Sequence, residues 1–262
     1  MHNDANIGEV LYKIILNFMP RSASSFFFDT LRESYGHNQR DLHKPRYAGE
    51  WSHKDTWITL AHDPLLFHAT FDDSISMITT MRDPFDAVAS QILKTSYGYG
   101  NATIAGRPEI VEGNMEFFKT QKEEYIRESM YQESMMWLGY SYGLRKAIDR
   151  VIPFTFEQTT LMVADILPHI HRLVGVSDDV RVLSKEEVED RVKHLTKHFA
   201  DDINFSSGAA NGLPTEKPEE YYLIKDMVRK SEWAQQMDEE YKLNLELIKD
   251  RQLKLGIDLD LN

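Results

Sequence analysis

The chain has 262 residues, 42% of them hydrophobic, a formal net charge of −12 and no cysteine. Acid excess on that scale excludes a broad basic surface for nucleic acid or anionic lipid, so any anionic ligand has to be gripped by a few local cations and backbone amides. Missing cysteine removes disulfides and thiolate metal sites, and the apolar runs fall well short of the roughly 20 residues of a membrane span, which together with a polar, acidic start predicts a cytoplasmic protein.

Residues 11–18 are short, apolar and β-favouring, and they run into Pro20, a group of serines and three phenylalanines before Gly36. That order predicts a strand, a loop and a helix. Lys44 and Arg46 read as part of a solvated loop, the alternative being that they steer an anionic acceptor. Further strands are predicted at 57–61, 75–81 and 151–156, each followed by residues with helical spacing. Residues 97–113, rich in Gly, Tyr and Asn, read as a loop, and 114–149 as one or two long helices. Together they predict an acceptor-side loop and helical insertion near 97–149. Residues 184–200 and 217–255 are charged and helical in pattern, with a Gly/Ser/Asn stretch at 205–214 between them. Alternating strands and helices predict one α/β domain over 1–262, with a mostly parallel central sheet flanked by helices and its ligand beyond the carboxyl ends of the strands.

Two motifs lie at such ends. Pro20-Arg21-Ser22-Ala23-Ser24-Ser25 follows the first strand, where helix-start amides, serine hydroxyls and a forked cation can converge on one phosphate. The loop lacks the glycines and the Gly-Lys-Ser/Thr ending of a Walker-type loop, which disfavours ATP chemistry. Read conservatively, Ser24 or Ser25 only caps the helix. The second motif begins with Arg82 at the end of the strand at 75–81. Asp83 is then the predicted helix cap, Pro84 the first turn and Asp86 the third-position acid, with Ser90 on a different helical face from Phe85, Val88, Ala89 and Ile92. Arg82 and Ser90 together suit a phosphate monoester; the alternative is a surface pair between Arg82 and Asp86.

In order and spacing, these two motifs resemble the sulfotransferases that use 3′-phosphoadenosine 5′-phosphosulfate (PAPS), whose patterns are a PRSGTTW-like loop and an RNPKDVAVS-like segment. Phe154-Thr155-Phe156-Glu157-Gln158 looks like that family's YED strand end, so the resemblance spans roughly residues 11–175. It implies a P-loop-NTPase-like architecture and transfer of a sulfuryl group from PAPS to a hydroxyl or amine of a small-molecule or glycan acceptor, releasing 3′,5′-ADP. Carried over residue by residue, it assigns Arg21, Ser22, Ala23, Ser24 and Ser25 to the 5′-phosphosulfate, and Arg82 and Ser90 to the 3′-phosphate. Phe26 and Phe156 take the places of the adenine-contacting aromatics. Ala23 stands where the family has glycine, which predicts a differently shaped loop. The family's late RKG segment has only Ser206, Ser207 and Gly208 as substitutes.

By the same resemblance, Arg21 stabilises the leaving group and His62, in Leu60-Ala61-His62, is the base; His68 and Asp63 compete with it. His169 and His171 are two apart on a predicted helix and face differently, so no metal site is expected. The competing functions are a P-loop-like nucleotide kinase or phosphotransferase, and a non-catalytic nucleotide-binding relative.

Overall fold

The structure, a computed structural model, describes residues 12–20, 22, 24–34, 50–53, 56–71, 75–96, 123–175, 183–190 and 219–259. Its centre is a five-stranded sheet in the order β2-β3-β1-β4-β5. Strands β1 (Tyr12–Phe18), β3 (Thr56–Ala61), β4 (Ile75–Met81) and β5 (Val151–Thr155) are parallel, and β2 (Glu50–His53) runs antiparallel to β3 at one edge. The four strands expected from the sequence are present. β2 was not expected.

Residues 14–19 of β1 and its exit are buried without interruption, as a parallel strand covered on both faces requires. Ile14, Leu16 and Phe18 point into one core with Ile58, Ile78 and Phe154, while Ile15 faces a second core with Met77 and Met81. The first core is closed by α1 (Ser24–Ser34) and α5 (Val163–Val174). Covering the second are α2 (Pro84–Ser96), α3 (Glu123–Ala147), α6 (Glu219–Arg229) and α7 (Ala234–Lys254). A short α4 (Phe156–Leu161) leaves β5 directly. No helix among the described residues is long and apolar enough to cross a membrane.

The strand order places the crevice. β1 and β4 are neighbours, yet the chain leaving β1 enters α1 on one face and the chain leaving β4 enters α2 on the other. Diverging exits of this kind mark where open parallel sheets usually hold a ligand, beyond the carboxyl ends of these two strands. The register keeps the ends flush: Asn17 lies opposite both Ala61 and Thr79, and Met81 opposite Thr155.

One buried contact ties α1 to α5. Ser34 donates to the Leu31 carbonyl at 2.6 Å, so at 3.2 Å from the same hydroxyl the Nε2 of His171 must be the donor. Burial holds the His171 pKa at about 4, against an ordinary 6.5. Between those values the unfolded chain binds a proton that the folded chain refuses, so stability falls as pH drops from 6.5 towards 4. The full effect is about 3 kcal/mol. Urea unfolding midpoints should therefore fall across that window, and His171→Gln should flatten the fall; an equally steep fall in the variant would refute the assignment.

Candidate functional site

At the end of β1, the buried amide of Asn17 behaves as an extra peptide unit. Its Nδ2 donates to the Asp63 carbonyl at 3.0 Å, and its Oδ1 accepts from the Asp63 N–H at 3.1 Å. This clamp holds residue 62 just beyond β3. Below it the Pro64–His68 turn is capped by the Asp63 carboxylate, which accepts from Leu65 N–H at 2.8 Å. Helix α3 then locks the turn: Tyr140 meets Phe67 edge to face at 4.9 Å and donates its hydroxyl to the Asn17 carbonyl. Gly143 permits this approach, because a Cβ there would lie 2.6 Å from Phe67.

Held in this way, exposed His62 has a defined tautomer. A carbonyl only accepts, so Nδ1, 2.7 Å from the Phe18 oxygen, carries the proton. In the neutral ring the lone pair is then on Nε2, which faces the Ser24 hydroxyl at 3.5 Å. Of the competing bases, Asp63 caps its own turn and His68 lies exposed at the far end of it.

The serines of the loop after β1 divide. Ser22 is fully buried; its hydroxyl donates to the Met19 carbonyl at 2.5 Å and accepts from Thr80 at 2.7 Å. It pins the loop to β4, so its hydroxyl is already engaged by protein. Ser24, at the first turn of α1, is the hydroxyl turned towards His62. Arg21 and Ala23 lie outside the described residues, and Ser25 and Phe26 are described only as helical backbone.

Arg82 emerges from β4 one strand away, 4% exposed. Its guanidinium lies 4.3 Å over the ring of Phe156, and its carbonyl accepts from the Trp137 indole at 3.3 Å. Phe156 sits where it does because β5 stops one residue earlier than the sequence suggested. Thr155 is a helix cap, its hydroxyl bonded to Gln158 N–H at 3.2 Å while the Gln158 side chain accepts from Thr155 N–H at 2.9 Å. Arg82 therefore covers one ring face, and an adenine would have to meet another part of it.

Asp83 caps α2 as expected, accepting from Asp86 N–H at 2.9 Å. Asp86 itself is bonded to Lys225 and Tyr221 of α6. Burial pushes the Asp86 carboxyl up, but those two bonds outweigh it and hold the group below its usual range. Tyr221 is pushed in the opposite direction, well above an ordinary tyrosine, by burial and then by its bond to Asp86. α6 packs against α2, and the Ser90 hydroxyl is buried. Sequence reasoning missed Tyr221 and Lys225. One turn apart on a helix they share a face, but nothing in that spacing names Asp86 as their target. The substitutes at 206–208 for the late cationic segment lie outside the described residues.

No protein-family model matches this chain, and no curated protein matches it.

β1, β3, β4 and β5 bring Ser24, His62, Arg82 and Phe156 to one edge of the sheet. A hydroxyl and an imidazole lone pair face each other beyond β1 and β3, and a buried guanidinium is stacked on Phe156 beyond β4 and β5.

Proposed function

We propose that the protein is a sulfotransferase that takes its sulfuryl group from PAPS and passes it to an acceptor hydroxyl or amine. The observation that carries this reading is the delivery of the serine loop, His62 and Arg82 to one crevice by neighbouring parallel strands, in the order the two motifs imply. PAPS supplies the sulfuryl group and a stable leaving phosphate. The acceptor oxygen bonds to sulfur as the bond from sulfur to the bridging phosphate oxygen breaks, and the departing 3′,5′-ADP keeps that electron pair. The acceptor proton goes to Nε2 of His62, whose other nitrogen is committed to the Phe18 carbonyl. Helix-start amides of α1 and the guanidinium of Arg21 meet the leaving charge. Arg82 and Ser90 are of the right kind for a 3′-phosphate, a forked cation just before α2 and a hydroxyl on it.

A second reading is favoured by one feature. Ser90 is buried on α2, against which α6 packs, which suits a relative that keeps the fold and has given up 3′-phosphate recognition. Calorimetry with 3′,5′-ADP and 5′-AMP separates the two. Under the leading reading 3′,5′-ADP binds at least tenfold tighter, a difference of about 1.4 kcal/mol. Equal affinities would favour the second reading, and absence of binding by either nucleotide would remove both.

A further inference from the structure

The turn that leaves β1 sets Ser24 down as the first residue of α1, and the end of β3 sets His62 beside it. A hydroxyl at the helix start of a strand–turn–helix unit is the placement that presents a nucleophilic serine in other parallel sheets. The partners assign the hydrogens. Nδ1 of His62 gives its proton to the Phe18 carbonyl, so in the neutral ring the 3.5 Å contact at Nε2 is made by the Ser24 O–H pointing at the lone pair. A hydroxyl aimed at one ring nitrogen while the other nitrogen is anchored is the arrangement that activates a serine, and it is commonly this loose before substrate arrives. Ser22, two residues earlier, is its opposite, with its hydroxyl engaged by Met19 and Thr80.

We infer that Ser24 and His62 form a nucleophile and base pair that hydrolyses small carboxylic esters, an activity beyond sulfuryl transfer that rests on no part of that reading. Oγ of Ser24 bonds to the ester carbon as its proton passes to Nε2 of His62. The oxyanion forms beside the start of α1, where first-turn N–H groups lack intrahelical acceptors and carry the positive end of the helix dipole. The ester C–O bond then breaks and the alcohol leaves with the proton from Nε2. Water attacks the acyl-serine, giving its proton to the same nitrogen, and the acid departs as the hydroxyl is restored. Two features set the substrate class. Ser24 keeps 8% of its surface while His62 is exposed, so the acyl group must be small and the alcohol portion lies on the solvent side, along the imidazole. The anchor of Nδ1 is a neutral carbonyl rather than a carboxylate, which fixes the ring but stabilises the imidazolium less. Amides, whose amine must be protonated to leave, are thereby beyond its reach.

For the full chain, p-nitrophenyl acetate reports turnover and diisopropyl fluorophosphate traps the activated serine. The wild-type chain should hydrolyse the ester, and the fluorophosphate should leave its adduct on Ser24 rather than Ser22, located by peptide fragmentation, with a matching loss of hydrolysis. Ser24→Ala and His62→Gln should each lower turnover at least about 100-fold. His62→Gln, at an exposed position, should also prevent the adduct while Ser24 is still present. No hydrolysis above the buffer rate, no adduct on Ser24, or turnover that survives Ser24→Ala would each overturn the inference, and the first two need no variant to fold. If the ester is hydrolysed in this way while 3′,5′-ADP does not bind, the nucleophile and base pair stands and the sulfotransferase reading fails. If 3′,5′-ADP binds and the ester is not hydrolysed, the failure belongs to the pair.

Discussion

His62→Ala is expected to slow sulfuryl transfer by roughly 10²–10⁴-fold, the usual contribution of a positioned general base, while 3′,5′-ADP affinity stays within about twofold. The expectation follows from the tautomer. With Nδ1 donating to the Phe18 carbonyl, the ring can act only through Nε2, the nitrogen that faces the Ser24 hydroxyl. Release of 3′,5′-ADP from PAPS, followed with a panel of simple phenols, measures the loss. The pH profile adds a second readout, because the acidic limb that reports protonation of the base should vanish in the variant. Turnover within threefold of wild type, with that limb retained, would show that another group takes the proton. The Asn17 clamp holds the Asp63 backbone beside His62, and the ring itself is exposed, so the substitution removes no packing element.

The second large effect concerns Arg82. Arg82→Ala should weaken 3′,5′-ADP binding by about 30-fold or more, since hydrogen bonds to charged groups contribute about 1.5–3 kcal/mol each. It should also lower the melting temperature, because a desolvated guanidinium stacked on an aromatic ring contributes about 2 kcal/mol. The two losses are separable. Arg82→Lys keeps a cation but has no plane to lay over Phe156 at 4.3 Å, so nucleotide binding should recover in part while stability recovers little. Unchanged 3′,5′-ADP affinity in Arg82→Ala, alongside a lowered melting temperature, would make Arg82 a structural residue only. Its carbonyl bond to Trp137 is backbone and survives either substitution.

Much of the scaffold was legible because buried parallel strands are dense in apolar and β-branched residues. β1 and β4 are of this kind. β2 was not legible: Glu-Trp-Ser-His has neither a run nor an alternation, and only its pairing with β3 makes it a strand. The start of α2 was read correctly from Asp83, Pro84 and Asp86, since a cap is a local bargain among residues three apart. The destination of the Asp86 carboxylate was not. A surface pair with Arg82, four residues earlier, was one of two readings; that Lys225 and Tyr221 reach Asp86 from a helix far along the chain was not legible.

By itself, then, the sequence determined the strands of the parallel sheet, the helix that follows Arg82, and which residue types stand at the strand ends. Tertiary structure decided what each of those residues does there. Ser22 and Ser24 are two positions apart and alike in chemistry, yet Thr80 takes up the hydroxyl of one and His62 faces the other. Phe156 turned from an open platform into a rest for Arg82 because Thr155 and Gln158 started a helix at that residue. Propensity and periodicity act over a few residues, so they place a side chain on an element; whether its polar atoms or ring face are already taken depends on partners that only folding brings near.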